Sequence, residues 1–166
     1  MPRRIYPVAP ADAAFLWPEV RPHIKRALDR EGSGRYLPED VLRFALNGKV
    51  RLWVAWNQAT TEIEAAIVTE IVIYPQLKDL RIWLVGGGNM RAWIAEARDT
   101  LETFGRAQGC AYAVGAMRKG WLRVGNGYKQ TGITFEKDLT KCAARARPAP
   151  RHRPARLRHW KKSSRI

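Results

Sequence analysis

Residues 84–93 read LVGGGNMRAW. An apolar, strand-like run ends at Val85, three glycines follow, and a helical pattern starts at Met90. Such a junction has two physical readings. Backbone N–H groups at a helix N-terminus, reached through glycines, can hold a phosphate. The same glycines can serve only as a permissive turn. A glycine run with no basic partner is weak evidence for the first reading, so the stretch is read first as a tight strand-to-helix turn.

The elements on either side follow from it. Met90, Trp93, Ile94, Ala97, Leu101 and Phe104 recur at helical spacing and predict an amphipathic helix ending near Gly109. DLRIWLV (79–85) before it and CAYAVGA (110–116) after it read as strands. Strand, helix, strand is a βαβ unit, so these two strands are expected to be parallel. Upstream, VRLWVAW (50–56) and IEAAIVTEIVIYP (63–75) are two more strands, the second stopped by Pro75. Short connections predict an antiparallel meander.

RRIYPV (3–8) is a first strand. DAAFLWPEVRPHIKRALDREG (12–32) is a helix with Asp12 as N-cap and Gly32 as its stop, in which Pro18 and Pro22 must mark a start or a break. PEDVLRFALNGK (38–49) is a second helix, with proline and acids in its first turn and Asn47-Gly48 at its end. RKGWLRVGNG (118–127) reads as a short helix and YKQTGITFEKDL (128–139) as a last strand or hairpin. The fold class is α+β: a mixed central sheet with helices on both faces, over residues 1–140.

The composition is uneven. The chain has 166 residues, 46% of them hydrophobic, and a formal charge of +15. Residues 141–166 hold ten Lys/Arg and no acid, which accounts for two thirds of that excess. This segment is rich in Arg and Pro, cannot bury enough apolar surface to fold alone, and is expected to be an extended basic arm. Arg145, Arg147, Arg151, Arg153, Arg156, Arg158, Lys161 and Lys162 form a strip suited to following phosphates without reading sequence. Trp160 could stack on a base or anchor in a protein groove, and an acidic membrane surface is a further candidate partner. No run approaches the roughly 20 apolar residues of a membrane span, and the N-terminus has no signal-peptide pattern. Cys110 and Cys142 make no redox or metal motif, and His23, His152 and His159 are too scattered for a triad or a metal site.

The element order, together with RKGWLRVGNGYKQTGITFEKDL and its Gly127-Tyr128 pair, resembles the GCN5-related N-acetyltransferase (GNAT) fold over residues 3–139. The resemblance implies acetyl-CoA as a cofactor, gripped by the loop after the fourth strand. Here Gly86, Gly87, Gly88 and Asn89 stand in that place, without the basic or amide side chain that precedes the family's glycines. The tyrosine that some members use as general acid falls four residues before the Gly-aromatic pair, where this chain has Arg123. Glu70 is the candidate general base under this reading.

The chain is also similar in overall pattern to small GNAT-like proteins of tailed bacteriophages. That resemblance implies a virion component, made in the host cytoplasm and associated with the portal, adaptor or tail of a podophage. Such a protein would be present in several copies, be ejected with the DNA, and use the arm on neighbouring subunits or DNA, with no catalytic residue, metal or cofactor. This is the first functional expectation. An acetyl-CoA-dependent N-acetyltransferase is the second, and a free nucleic-acid-binding protein the third.

Overall fold

The structure is a computed structural model. It describes residues 3–116, 120, 123, 127–134 and 136. The chain divides into two units, residues 1–130 and 131–166. In the second, the described residues 131–134 and 136 carry neither helix nor strand.

In the first unit the order is β1 (Arg3–Val8), α1 (Pro10–Glu31), α2 (Pro38–Leu46), β2 (Arg51–Asn57), β3 (Glu62–Ile73), β4 (Lys78–Gly87), a 3-10 turn (Met90–Ala92), α3 (Ile94–Ala107) and β5 (Tyr112–Val114). The five strands lie side by side in chain order. Neighbours are antiparallel except β4 and β5, which are parallel. The meander and the βαβ unit are both present.

The strands alternate, so the sheet has two apolar faces. Val20, Ile24 and Val41 of α1 and α2 pack on Leu52, Val54, Ala66, Val68 and Leu84. Trp93, Ala97 and Leu101 pack on the other face against Trp53, Ile67, Leu80 and Ile82. Each large buried aliphatic contributes about 1.5–3 kcal/mol, so both layers are held by burial.

α1 differs from expectation at two points. It starts at Pro10, with Ala9 at the N-cap and no side-chain cap, and the Asp12 N–H donates to the Ala9 carbonyl at 2.9 Å. A proline at the first helical position is pre-organised for the helix and sets the start ahead of Asp12. Pro18 and Pro22 lie inside one continuous helix. They are four residues apart, both exposed, so the carbonyls of Ala14 and Pro18 that lose an N–H donor fall on the solvent side. Gly32 ends the helix in the left-handed region, φ 71°.

α2 stops earlier than read, at Leu46, although its Asn47-Gly48 stop is in place. Asp40 reaches back to accept the Leu37 N–H at 2.9 Å. β4 runs two residues further than read, because Gly86 and Gly87 still pair with Ala66 and Ala65. β5 is only three residues long. Of the expected last hairpin, residues 128–134 and 136 carry no strand and the rest lies outside the described residues. The same holds for most of the expected helix 118–127 and for the whole arm, including Arg145, Arg147, Arg151, Arg153, Arg156, Arg158, Trp160, Lys161 and Lys162.

Candidate functional site

β5 pairs with β4 only from Asp79 to Arg81. Beyond Arg81, β4 continues for six residues to Gly87 with no strand on that side among the described residues. A strand edge left open in this way presents a row of backbone donors and acceptors.

A β-bulge sits just past the opening. Val68 pairs with Leu84 and Thr69 with Ile82, which leaves Trp83 as the extra residue. The bulge switches the parity of β4. Leu80 and Ile82 face α3, while Trp83 and Leu84 both face α1 and α2. Tyr36, in the connector between these helices, meets the Trp83 ring edge-on at 4.9 Å, and Phe44 of α2 is 6.2 Å away. All three rings are half-buried.

Glu70 and Arg81 are cross-strand partners in the last row before the edge opens. The Arg81 Nε lies 2.8 Å from the Glu70 Oε1. Its N–H is not aligned on the carboxylate, because the same atom satisfies no hydrogen-bond geometry. The Glu70 side chain is 19% exposed. The pair therefore sits at the mouth of the splay with a carboxylate lone pair available.

The far end of the open edge leads into the glycine run, which has a more specific job than a turn. A Cβ on Gly86 would stand 1.9 Å from the His23 carbonyl oxygen, so only glycine lets α1 lie this close to β4. A Cβ on Gly87, at φ 154°, would meet Ala65 and the Glu64 carbonyl at 2.4–2.5 Å. Gly88 has open space around it. Its N–H donates to the Glu64 carbonyl at 3.0 Å and its own carbonyl accepts the Trp93 indole N–H at 2.8 Å. Asn89 takes the left-handed conformation, φ 47°, which asparagine tolerates better than most residues. The N–H groups of Asn89, Met90 and Arg91 have no partner among the described residues. α3 then opens without a side-chain cap.

A second bulge, on β3, leaves Glu64 opposite no β2 residue, since Ala55 pairs with Ala65 and Trp56 with Ile63. Its carboxylate accepts from Arg3 Nε and Nη2 at 3.1 Å each and from Asn57 Nδ2 at 2.9 Å. The Arg3 contact, followed by the other donors, holds this carboxyl below its ordinary range despite partial burial.

An open cleft of about 460 Å3 lies where α1 meets the β2–β3 turn and the Gly88-Asn89 loop, with Glu19, His23, Arg26 and Glu62 among its lining residues. His23 Nε2 is 3.0 Å from the Ile63 carbonyl. A carbonyl only accepts, so Nε2 carries the proton and Nδ1 is the acceptor. Nδ1 is buried without a partner. Protonating it would strand a buried N–H, and burial pushes the His23 pKa down, with Arg26 adding to the effect. The sign follows: the unfolded chain takes up a proton first as pH falls, so this neutral His contributes stability above about pH 6.5 that fades as pH drops toward the lower folded value. Urea melts between pH 7 and 5 should show falling stability in the wild type and a flatter profile in His23→Gln. Equal slopes would rule the histidine out.

The structure gathers some of the residues singled out in the sequence and not others. Gly86, Gly87, Gly88 and Asn89 stand at one end of the open edge and Glu70 at the other. Arg123 is exposed. Tyr128 is half-buried, its hydroxyl pKa raised by burial and by Glu102. Arg81, Trp83, Tyr36 and Glu64 had no signal at the level of motif. They are brought in by two register shifts and one cross-strand pairing.

No protein-family model and no curated protein sequence matches the chain. Solved structures do. An aminoglycoside acetyltransferase from an uncultured soil metagenomic sample superposes with a TM-score of 0.63 at 14% identity, covering 84% of this chain and 99% of that one. A predicted acetyltransferase with acetyl-CoA from Clostridium acetobutylicum gives 0.60 at 16% identity, with 83% and 97% covered. A GCN5-related N-acetyltransferase from Ralstonia eutropha gives 0.58 at 17% identity, with 82% and 98% covered. The fold is GNAT-like, an α+β arrangement around a mixed five-stranded sheet.

Proposed function

We propose that this chain is an acetyl-CoA-dependent N-acetyltransferase. One observation carries the reading: the open edge of β4 joins a carboxylate at its mouth to a loop of unpaired amides at its far end. The six residues beyond Arg81, to Gly87, span roughly 20 Å at 3.3 Å per residue, the scale of an extended pantetheine arm. The neighbours named above favour this expectation over the virion one, which no observation on the described residues supports.

Each part has a role. The N–H groups of Asn89, Met90 and Arg91, with the uncapped start of α3, would face the donor's phosphates. Backbone groups of β4 would pair with the amides of the arm, as an added strand does. Bound acetyl-CoA supplies an activated thioester. Glu70 accepts the proton that the attacking amine must lose, and Arg81 orients it. No tyrosine stands at Arg123 to protonate the departing sulfur, so that proton comes from water. The missing basic side chain before the glycines predicts modest donor affinity.

Calorimetry with acetyl-CoA is expected to give a dissociation constant in the micromolar range, and a thiol-release assay with a panel of primary amines to give turnover. Absence of heat at millimolar acetyl-CoA would sink the reading.

A further inference from the structure

We propose that Asp79 is a positioning residue, a second seat for the Arg81 side chain that draws it off Glu70 and leaves the Glu70 carboxylate to the acceptor amine. The catalytic consequence rests on the acetyltransferase reading; the seat itself does not.

Among the described residues three buried side-chain atoms find no hydrogen-bond partner: His23 Nδ1, Asp79 Oδ1 and Arg81 Nε. A buried polar atom left unpaired costs free energy, and most in folded proteins are satisfied. His23 belongs to α1 and the cleft at the glycine end. The other two belong together. Asp79 and Arg81 stand two residues apart on β4, ahead of the bulge at Trp83. Leu80 between them packs with Ala97 and Leu101 of α3, so both side chains lie on the opposite face. Two residues of strand measure roughly 7 Å, a span that an arginine side chain covers. One orphan is an acceptor and the other a donor.

The strand neighbours of Asp79 do not compete for it. Val72 lies across from it on β3 and offers no donor, and Tyr112 lies across on β5 with its ring exposed. Lys78 alternates to the other face with Leu80, and Cys110 packs on the α3 side. Asp79 is 9% exposed, so water is a poor substitute. Arg81 therefore has two seats. On Glu70 its Nε is 2.8 Å from the carboxylate but misaligned, and two buried atoms stay unpaired. On Asp79 both orphans are satisfied, and Glu70 is left with what the open mouth of the site supplies. A bound amine donates to the Glu70 oxygens and becomes an ammonium on attack. It binds the second arrangement better, which is the condition for a ligand to shift such a balance.

Two measurements on the full chain test it. The first is hydrogen exchange of the Arg81 Nε–H, followed by NMR. Glu70→Gln removes the competing charge and is expected to slow this exchange about tenfold, as the side chain moves to Asp79. Glu70→Gln combined with Asp79→Leu should return it to the wild-type rate. Exchange that is unchanged or faster in Glu70→Gln overturns the proposal. The second is turnover. Asp79→Leu should lower kcat about tenfold with the acetyl-CoA dissociation constant unchanged, because Arg81 then stays on Glu70. In an Arg81→Met background the same substitution should leave kcat unchanged. A loss that persists undiminished there also overturns the proposal, since Asp79 would then act without Arg81. If Asp79→Leu fails to fold, Asp79→Asn, which keeps a neutral acceptor, carries both comparisons at reduced size. Failure of the wild type to bind acetyl-CoA removes the acetyltransferase reading instead, and the exchange data still decide whether Asp79 seats Arg81.

Discussion

Gly86→Ala is expected to destabilise the protein by about 3 kcal/mol or more, against an effect within about 0.5 kcal/mol for Gly88→Ala two residues away. The added Cβ at 86 would lie 1.9 Å from the His23 carbonyl oxygen and 2.8 Å from its carbonyl carbon. Both are backbone atoms of a 22-residue helix. No side-chain rotation relieves the clash. Either α1 lifts from β4, opening the layer that contains Val20, Ile24 and Leu84, or β4 bends. At Gly88 nothing lies within 4 Å of the new atom. Thermal melts of the two variants should therefore separate by roughly 6–12 °C for a domain of this size. Equal melting temperatures would mean that α1 does not sit on β4 as described.

The same pair of glycines shows what could be read in the sequence and what could not. The period switch across 84–93 placed a strand and a helix, and with the flanking runs it defined a parallel pair and a meander. These are local patterns, and they survive into the fold. The glycines themselves were read as a turn. Gly86 and Gly87 are strand residues, Gly86 required by a helix backbone that packs on it from more than 60 positions earlier in the chain and Gly87 by Ala65 and the Glu64 carbonyl of β3. Nothing within LVGGGNMRAW encodes that contact. Pro18 and Pro22 fail for a related reason: their cost depends on which side of α1 faces water, a tertiary fact. Glu70 was legible as a candidate only through the GNAT resemblance, by its place late in the long strand, while its pairing with Arg81 depends on a register that a bulge at Trp83 resets. Glu64, a glutamate in the same run, gave no sign of its network, because Arg3 and Asn57 come from two other strands. The basic arm, the loudest feature of the composition, lies outside the described residues.

Glu70→Gln is expected to lower kcat by about a hundredfold or more while leaving the dissociation constant for acetyl-CoA unchanged, the usual scale for losing a general base. The substitution is nearly isosteric and keeps an oxygen toward Arg81. It removes only the capacity to take a proton from the ammonium formed when the amine attacks. On the proposed reading donor binding belongs to the other end of the open edge, about six strand residues away, so the two readouts should separate cleanly. Arg81→Met should cost less, because it loosens the orientation of the carboxylate without removing it. A melting temperature close to wild type in Glu70→Gln separates the chemical effect from a folding effect, as expected for an ion pair with one partner 43% exposed. Should kcat survive the substitution while acetyl-CoA still binds, the proton leaves to solvent. The mouth of the open edge then positions the amine without abstracting its proton.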